Sequence, residues 1–206
     1  MFFIGICGAS CSGKSTLAKL LSERLGERCI HLRQDNYYID QSPLPFEERC
    51  KVNYDDPDIF EHDALLADVT ALKEGRSITS KGYDYAEHRR SDPGEEIKPA
   101  DVVIVEGIHA FFDPRLREMM DTKVYIQVDS DVCLLRRIKR DIRDRGRDVP
   151  SITAQYLATV KPMLDKYIRA YAQHADIILP GGGKNPLFLD MLCLYIDAHM
   201  PAANAQ

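Results

Sequence analysis

The apolar run Phe2-Phe3-Ile4-Gly5-Ile6-Cys7 leads straight into Gly8-Ala9-Ser10-Cys11-Ser12-Gly13-Lys14-Ser15-Thr16, and the chain continues as Leu17-Ala18-Lys19-Leu20-Leu21. A strand-like run, a GxxxxGKS segment and an amphipathic helix start, in that order, dictate a strand, loop and helix unit. Its glycines let backbone N–H groups curl around phosphate oxygens, Lys14 reaches the β- and γ-phosphates, and the Ser15 hydroxyl suits Mg²⁺. A nucleoside triphosphate is therefore the expected ligand of Gly8 through Thr16.

The alternation continues downstream. Arg28-Cys29-Ile30-His31-Leu32 reads as a second strand that delivers Gln34-Asp35-Asn36-Tyr37-Tyr38 at its carboxyl end. Prolines break residues 41–45, and turn chemistry at 53–58 precedes a helix expected over 59–74 with Leu65, Leu66, Val69 and Leu72 as its buried stripe. Residues 101–107 and 123–128 read as buried strands, and Asp113-Pro114 as a helix start. A basic helix over 131–146, a helix over 151–174 kinked by Pro162, a strand at 175–179 and a helix over 186–199 complete the pattern. This predicts an α/β fold of P-loop NTPase type: one domain over 1–206 with a doubly wound, mostly parallel sheet and helices on both faces. A small β-hairpin insertion is expected at about 76–90 and an arginine-rich lid at about 136–150.

Composition narrows the partners. A chain of 206 residues, 45% hydrophobic and 29% charged, can bury a substantial core. Its net charge of −5 speaks against nucleic acid as partner and for small molecules held at a local basic site. The six cysteines have no metal-ligand spacing and several fall in apolar runs, which suits a reducing cytoplasm. No run approaches membrane-spanning length, so no membrane association is expected.

Two acids and an arginine-rich stretch narrow the chemistry. Asp35 and Glu106 each follow an apolar strand, so a parallel sheet brings both to the edge that carries the phosphate loop. One carboxylate can deprotonate an attacking hydroxyl while another holds Mg²⁺, the division of labour that phosphoryl transfer needs. Arg136, Arg137, Lys139, Arg140, Arg143, Arg145 and Arg147 form a local anion site in an acidic chain. One helix cannot aim them all inward, and at least two are expected to be solvated or paired with Asp141 and Asp144. Tyr83-Asp84-Tyr85-Ala86-Glu87-His88 combines ring faces with hydrogen-bonding tips, which suits either packing on the sheet or stacking on a planar base.

These blocks, together with Asn53 to Asp58, Val105-Glu106-Gly107-Ile108 and Arg145-Gly146-Arg147-Asp148 followed by Gln155-Tyr156, resemble uridine kinases in order and spacing over nearly the whole chain. The resemblance implies transfer of the γ-phosphoryl group of ATP or GTP to the 5′-hydroxyl of uridine or cytidine in pyrimidine salvage, by a homo-oligomer, a tetramer. It implies that Asp35 is the base, with Lys14, Arg140 and Arg145 as catalytic partners, and that Ser15, Asp35 and Glu106 form the magnesium site. Asp55 and Arg137 then hold the ribose hydroxyls, Tyr83 and His88 address the pyrimidine, Tyr85 stacks beside them, and Arg147 and Gln155 lie on the substrate side. The chain departs from the family pattern at Ala9, Cys11, His109 and Lys184. Cys11 reads as an inert small residue, with an activated thiolate as the alternative. Other small-molecule kinases of the same architecture, such as those acting on ribulose phosphate or nicotinamide riboside, remain the competing reading. A nucleotide-dependent switch lacks its Asn-Lys-x-Asp signature here.

Overall fold

Five strands, the central ones nearly continuous apolar runs, lie parallel in a sheet that helices cover on both faces. In the computed structural model, which describes residues 1–200, β1 (Phe2–Gly8) leads through the phosphate loop into α1 (Lys14–Leu25), and β2 (Cys29–Arg33) follows. A short α2 (Phe46–Arg49) and α3 (His62–Lys73) come next. Four two-residue strands follow: β3 (Ile78–Thr79), β4 (Tyr83–Asp84), β5 (Arg89–Arg90) and β6 (Glu96–Ile97). The second half runs β7 (Val102–Glu106), α4 (Pro114–Glu118), β8 (Thr122–Gln127), α5 (Ser130–Arg145), α6 (Val149–Gln155), α7 (Lys161–Lys166), β9 (Ile177–Pro180) and α8 (Pro186–His199).

The sheet order is β2-β7-β1-β8-β9. Register pairs Ile4 with Ile104 and with Thr122, and Ile6 with Glu106 and with Val124, so the strands end together at one edge. Successive residues of β1 face opposite layers. Ile4 and Ile6 pack with Leu17, Ala18 and Leu21 of α1 and Leu192 and Ile196 of α8, while Phe3 and Cys7 pack with Val103, Val105 and Phe111 on the other face. Each large apolar side chain so buried contributes about 1.5–3 kcal/mol. The central place of β1 leaves a crevice at its carboxyl end, where ligands of such sheets bind.

Three expected boundaries shift. The second helix starts at His62 rather than 59, because Phe60 is drawn into a bridge with Tyr38 and a 3-10 turn, Pro57–Ile59, is capped by the Asp56 carboxylate. The insertion extends past 90, since β3 pairs with β6 outside the β4–β5 ladder and carries it to Ile97. The helix expected over 151–174 is divided: a π turn, Tyr156–Val160, precedes Pro162 and accommodates its missing N–H, and Tyr167 leaves helical geometry before a 3-10 turn, Ile168–His174. Among the described residues, no helix is long and apolar enough to cross a membrane.

Candidate active site

The loop after β1 is built to receive an anion. Gly13 caps α1 with a left-handed backbone and no side-chain hydrogen bond, and the first turn carries no acidic residue, so its N–H groups and the positive end of the helix dipole face outward. At φ +109° Gly13 also packs so closely on the β9–α8 turn that an added Cβ would lie 2.7 Å from the Gly183 nitrogen. Lys14 closes the loop by donating from Nζ to the Ala9 carbonyl at 2.9 Å.

A cleft of about 530 Å³ opens over this loop. Ser10, Cys11, Gly13, Lys14, Ser15 and Thr16 line it, whereas Gly8, Ala9 and Ser12 form the underside of the loop. Arg136 reaches across from α5 to the Cys11 and Ser12 carbonyls, both at 3.4 Å. Cys11, half-buried with φ +63°, and Lys184 also line the cleft.

The two acids meet there, as the parallel register requires. The Ser15 hydroxyl donates to Glu106 Oε1 at 2.8 Å, and His31 Nε2 is 3.8 Å from the same oxygen. Burial pushes the Glu106 carboxyl up, but His31, Lys14 and Ser15 together hold it below its ordinary value. Asp35 moves the other way: burial and the neighbouring Glu106 raise it, against the Tyr85 hydroxyl, which donates to Asp35 Oδ2 at 2.9 Å. Two carboxyls whose surroundings push them apart are suited to different tasks. Hard oxygen donors, with one or two carboxylates beside a hydroxyl and a phosphate cradle, fit Mg²⁺, which keeps part of its water shell when bound.

A second cleft, of about 340 Å³, adjoins the first, and Asp35 and Arg140 line both. All the residues expected on the acceptor side converge on it: Asp55, Tyr83, Tyr85, His88, Arg137, Arg147 and Gln155, together with Arg145 of the lid. Arg137 donates to Ser10 Oγ at 3.1 Å and to Gln155 Oε1 at 2.9 Å, and Arg147 donates to the same Gln155 oxygen at 2.5 Å. Asp55 is buried, which raises its carboxyl against the pull of Arg137. The His88 ring stacks on Tyr54 with centroids 5.0 Å apart, and burial together with Arg145 and Arg147 holds the imidazole below its ordinary pKa. Its Nδ1 is buried with no hydrogen-bond partner among the described residues.

The arginines divide as one helix demands. Arg143 is solvated and paired with Asp144, while Arg140 pairs with Asp141 at 2.7 Å. Asp141 gathers more arginines than its pairing on one helix face would require. It is 0% exposed, and Arg137, Arg145 and Arg147 also lie within 3.7 Å of its carboxylate. The signal was present in its i,i+4 spacing from Arg137 and to Arg145. Phe46 and Tyr54 also wall this cleft; Phe46 directly follows the proline-broken segment and Tyr54 lies in the turn at 53–58, where no periodicity marks a buried face.

Residues 3–187 match the model of the phosphoribulokinase / uridine kinase family. The chain is 44% identical over 200 residues to the uridine kinase of Chloroflexus aurantiacus, covering 97% of this chain and 96% of the relative. It is 46% identical over 190 residues to the uridine kinase of Clostridium botulinum, covering 92% of each. Among solved structures, phosphoribulokinase from Rhodobacter spheroides superposes with a TM-score of 0.59 at 14% identity, over 90% of this chain and 73% of that one, a likeness of fold alone.

Proposed function

The chain belongs to the phosphoribulokinase and uridine kinase family, and from that premise we propose that it moves the γ-phosphoryl group of ATP or GTP to the 5′-hydroxyl of uridine or cytidine, giving UMP or CMP. The carrying observation is that a phosphate-loop cleft and an aromatic, arginine-lined cleft share Asp35 and Arg140. In-line transfer needs donor and acceptor to meet at such a junction.

On this reading Lys14 and the loop N–H groups hold the β- and γ-phosphates. Ser15 and Glu106, with Asp35 beside them, are the residues that would hold Mg²⁺, which when bound neutralises charge between those phosphates. Asp35 accepts the 5′-hydroxyl proton, a task that suits a carboxyl raised toward working pH. Arg140 and Arg145 offset charge developing on the transferred group and exclude water. Asp55 and Arg137 hold the ribose hydroxyls, braced by Gln155 and Arg147. Tyr83 and a neutral His88 meet the pyrimidine edge, and Tyr85 packs against the ring. A neutral imidazole donates at one nitrogen and accepts at the other, so both uracil and cytosine are accommodated.

We further assign the enzyme to pyrimidine salvage in the cytoplasm as a homotetramer. Leu187, Met191, Leu194 and Tyr195 lie exposed along α8, whereas Leu192 belongs to the core. Incubation with γ-labelled ATP and uridine tests the reaction: label should move into uridine 5′-monophosphate, and label confined to ATP and inorganic phosphate would reject the assignment.

A further inference from the structure

His109 stands where the family pattern has an apolar residue, and the reaction as described gives it no task. It follows β7 by three residues and is 1% exposed. Phe60, Phe112, Tyr167 and Tyr171 surround it edge-on, with ring centroids 5.8 to 6.1 Å away. Both ring nitrogens are nonetheless satisfied: Nε2 lies 2.8 Å from the Asp55 carbonyl and Nδ1 2.8 Å from the Tyr171 hydroxyl. A carbonyl can only accept, so Nε2 carries the proton and Nδ1 accepts from Tyr171. Burial drives the ring pKa down to about 4, which keeps this neutral tautomer at working pH. The His109 backbone N–H donates to Gln34 Oε1 at 2.9 Å, so the same residue also braces the turn that carries Asp35.

We propose that His109 is a positioning residue for the acceptor: its Nε2–H fixes the Asp55 backbone, and with it the carboxylate that receives the ribose hydroxyls. The inference rests on the nucleoside kinase reading. It predicts an effect confined to the sugar, because the phosphate loop shares no hydrogen bond with this imidazole.

The test is calorimetric binding of uridine, 2′-deoxyuridine and ATP to the full chain and to His109→Phe, His109→Gln and Tyr171→Phe. His109→Phe removes the donor and should weaken uridine about tenfold, the scale of one buried hydrogen bond. It should leave ATP affinity within about twofold and narrow the preference for uridine over its 2′-deoxy analogue. His109→Gln can still donate to the Asp55 carbonyl and should restore most of that preference, while Tyr171→Phe should narrow it about threefold. Equal weakening of both nucleosides, or an unchanged preference in His109→Phe, overturns the proposal. If that variant does not fold, an unchanged preference in Tyr171→Phe overturns it. Failure of the unmodified chain to bind any pyrimidine nucleoside would instead reject the underlying reading.

Discussion

Asp35 and Glu106 end neighbouring stretches of the same sheet edge, yet their surroundings drive them in opposite directions. Glu106 gains His31, Lys14 and the Ser15 hydroxyl, whereas Asp35 is buried next to another carboxylate and, among the described residues, its carboxylate accepts a hydrogen bond only from Tyr85. Asp35→Asn should therefore lower kcat by about 10²–10⁴ while ATP KM stays within about twofold; steady-state kinetics with both substrates varied checks this. His109 supplies a stability prediction with a definite sign. Its pKa of about 4 in the folded chain lies below an unfolded value near 6.5, so its contribution is complete above about pH 6.5 and is lost as pH falls toward 4. His62 lowers the ring further and the Asp56 charge opposes it. Urea denaturation at pH 7 and pH 4.5 should show the unmodified chain losing about 2–3 kcal/mol more than His109→Phe. Asp35 and Glu106 were legible in the sequence because each follows an apolar run. The pairing of Asp141 with arginines was legible from its i,i+4 spacing, but its burial was not, since that depends on which side of α5 meets α6.

At the scale of elements, α5 and the loop that joins it to α6 form a sheath of guanidinium groups around one carboxylate. Four arginines within 3.7 Å of Asp141 repel one another, and the carboxylate is what lets them share a wall of the acceptor cleft. Asp141→Ala should cost about 3 kcal/mol of stability, the scale of breaking a buried ion pair, and should raise the KM of uridine as Arg137 and Arg147 leave their places. Asp141→Asn keeps the shape and should lose less; a thermal melt with kinetics on both variants separates the two effects. The β9–α8 turn is a second such element. A side chain at Gly183 would collide with the Gly13 carbonyl, so Gly183→Ala should raise ATP KM at least about tenfold and leave uridine binding nearly intact. The arginine-bearing helix was legible from its composition. The division of labour within it was not, because i,i+3 and i,i+4 neighbours can face a ligand, a carboxylate or water with the same sequence pattern.

At the scale of the molecule, burial on both faces makes the central strands β1 and β7 stand out as apolar runs, and they carry the reading of a parallel sheet with the phosphate loop at its carboxyl edge. The two-residue strands at 78–97 have no period to read. The π turn before Pro162 depends on packing rather than on propensity. The exposed apolar residues of α8 belong to the same scale: if they join copies of the chain, Met191→Asp combined with Leu194→Asp should lower the mass measured by light scattering from that of a tetramer to that of a smaller species. The acceptor is what the whole arrangement is built to select. A coupled assay of ADP formation with uridine, cytidine, thymidine, adenosine, nicotinamide riboside and ribulose 5-phosphate reads that selection directly. Turnover with uridine and cytidine, and little with the other four, is the expected result; turnover with neither pyrimidine ribonucleoside would contradict it.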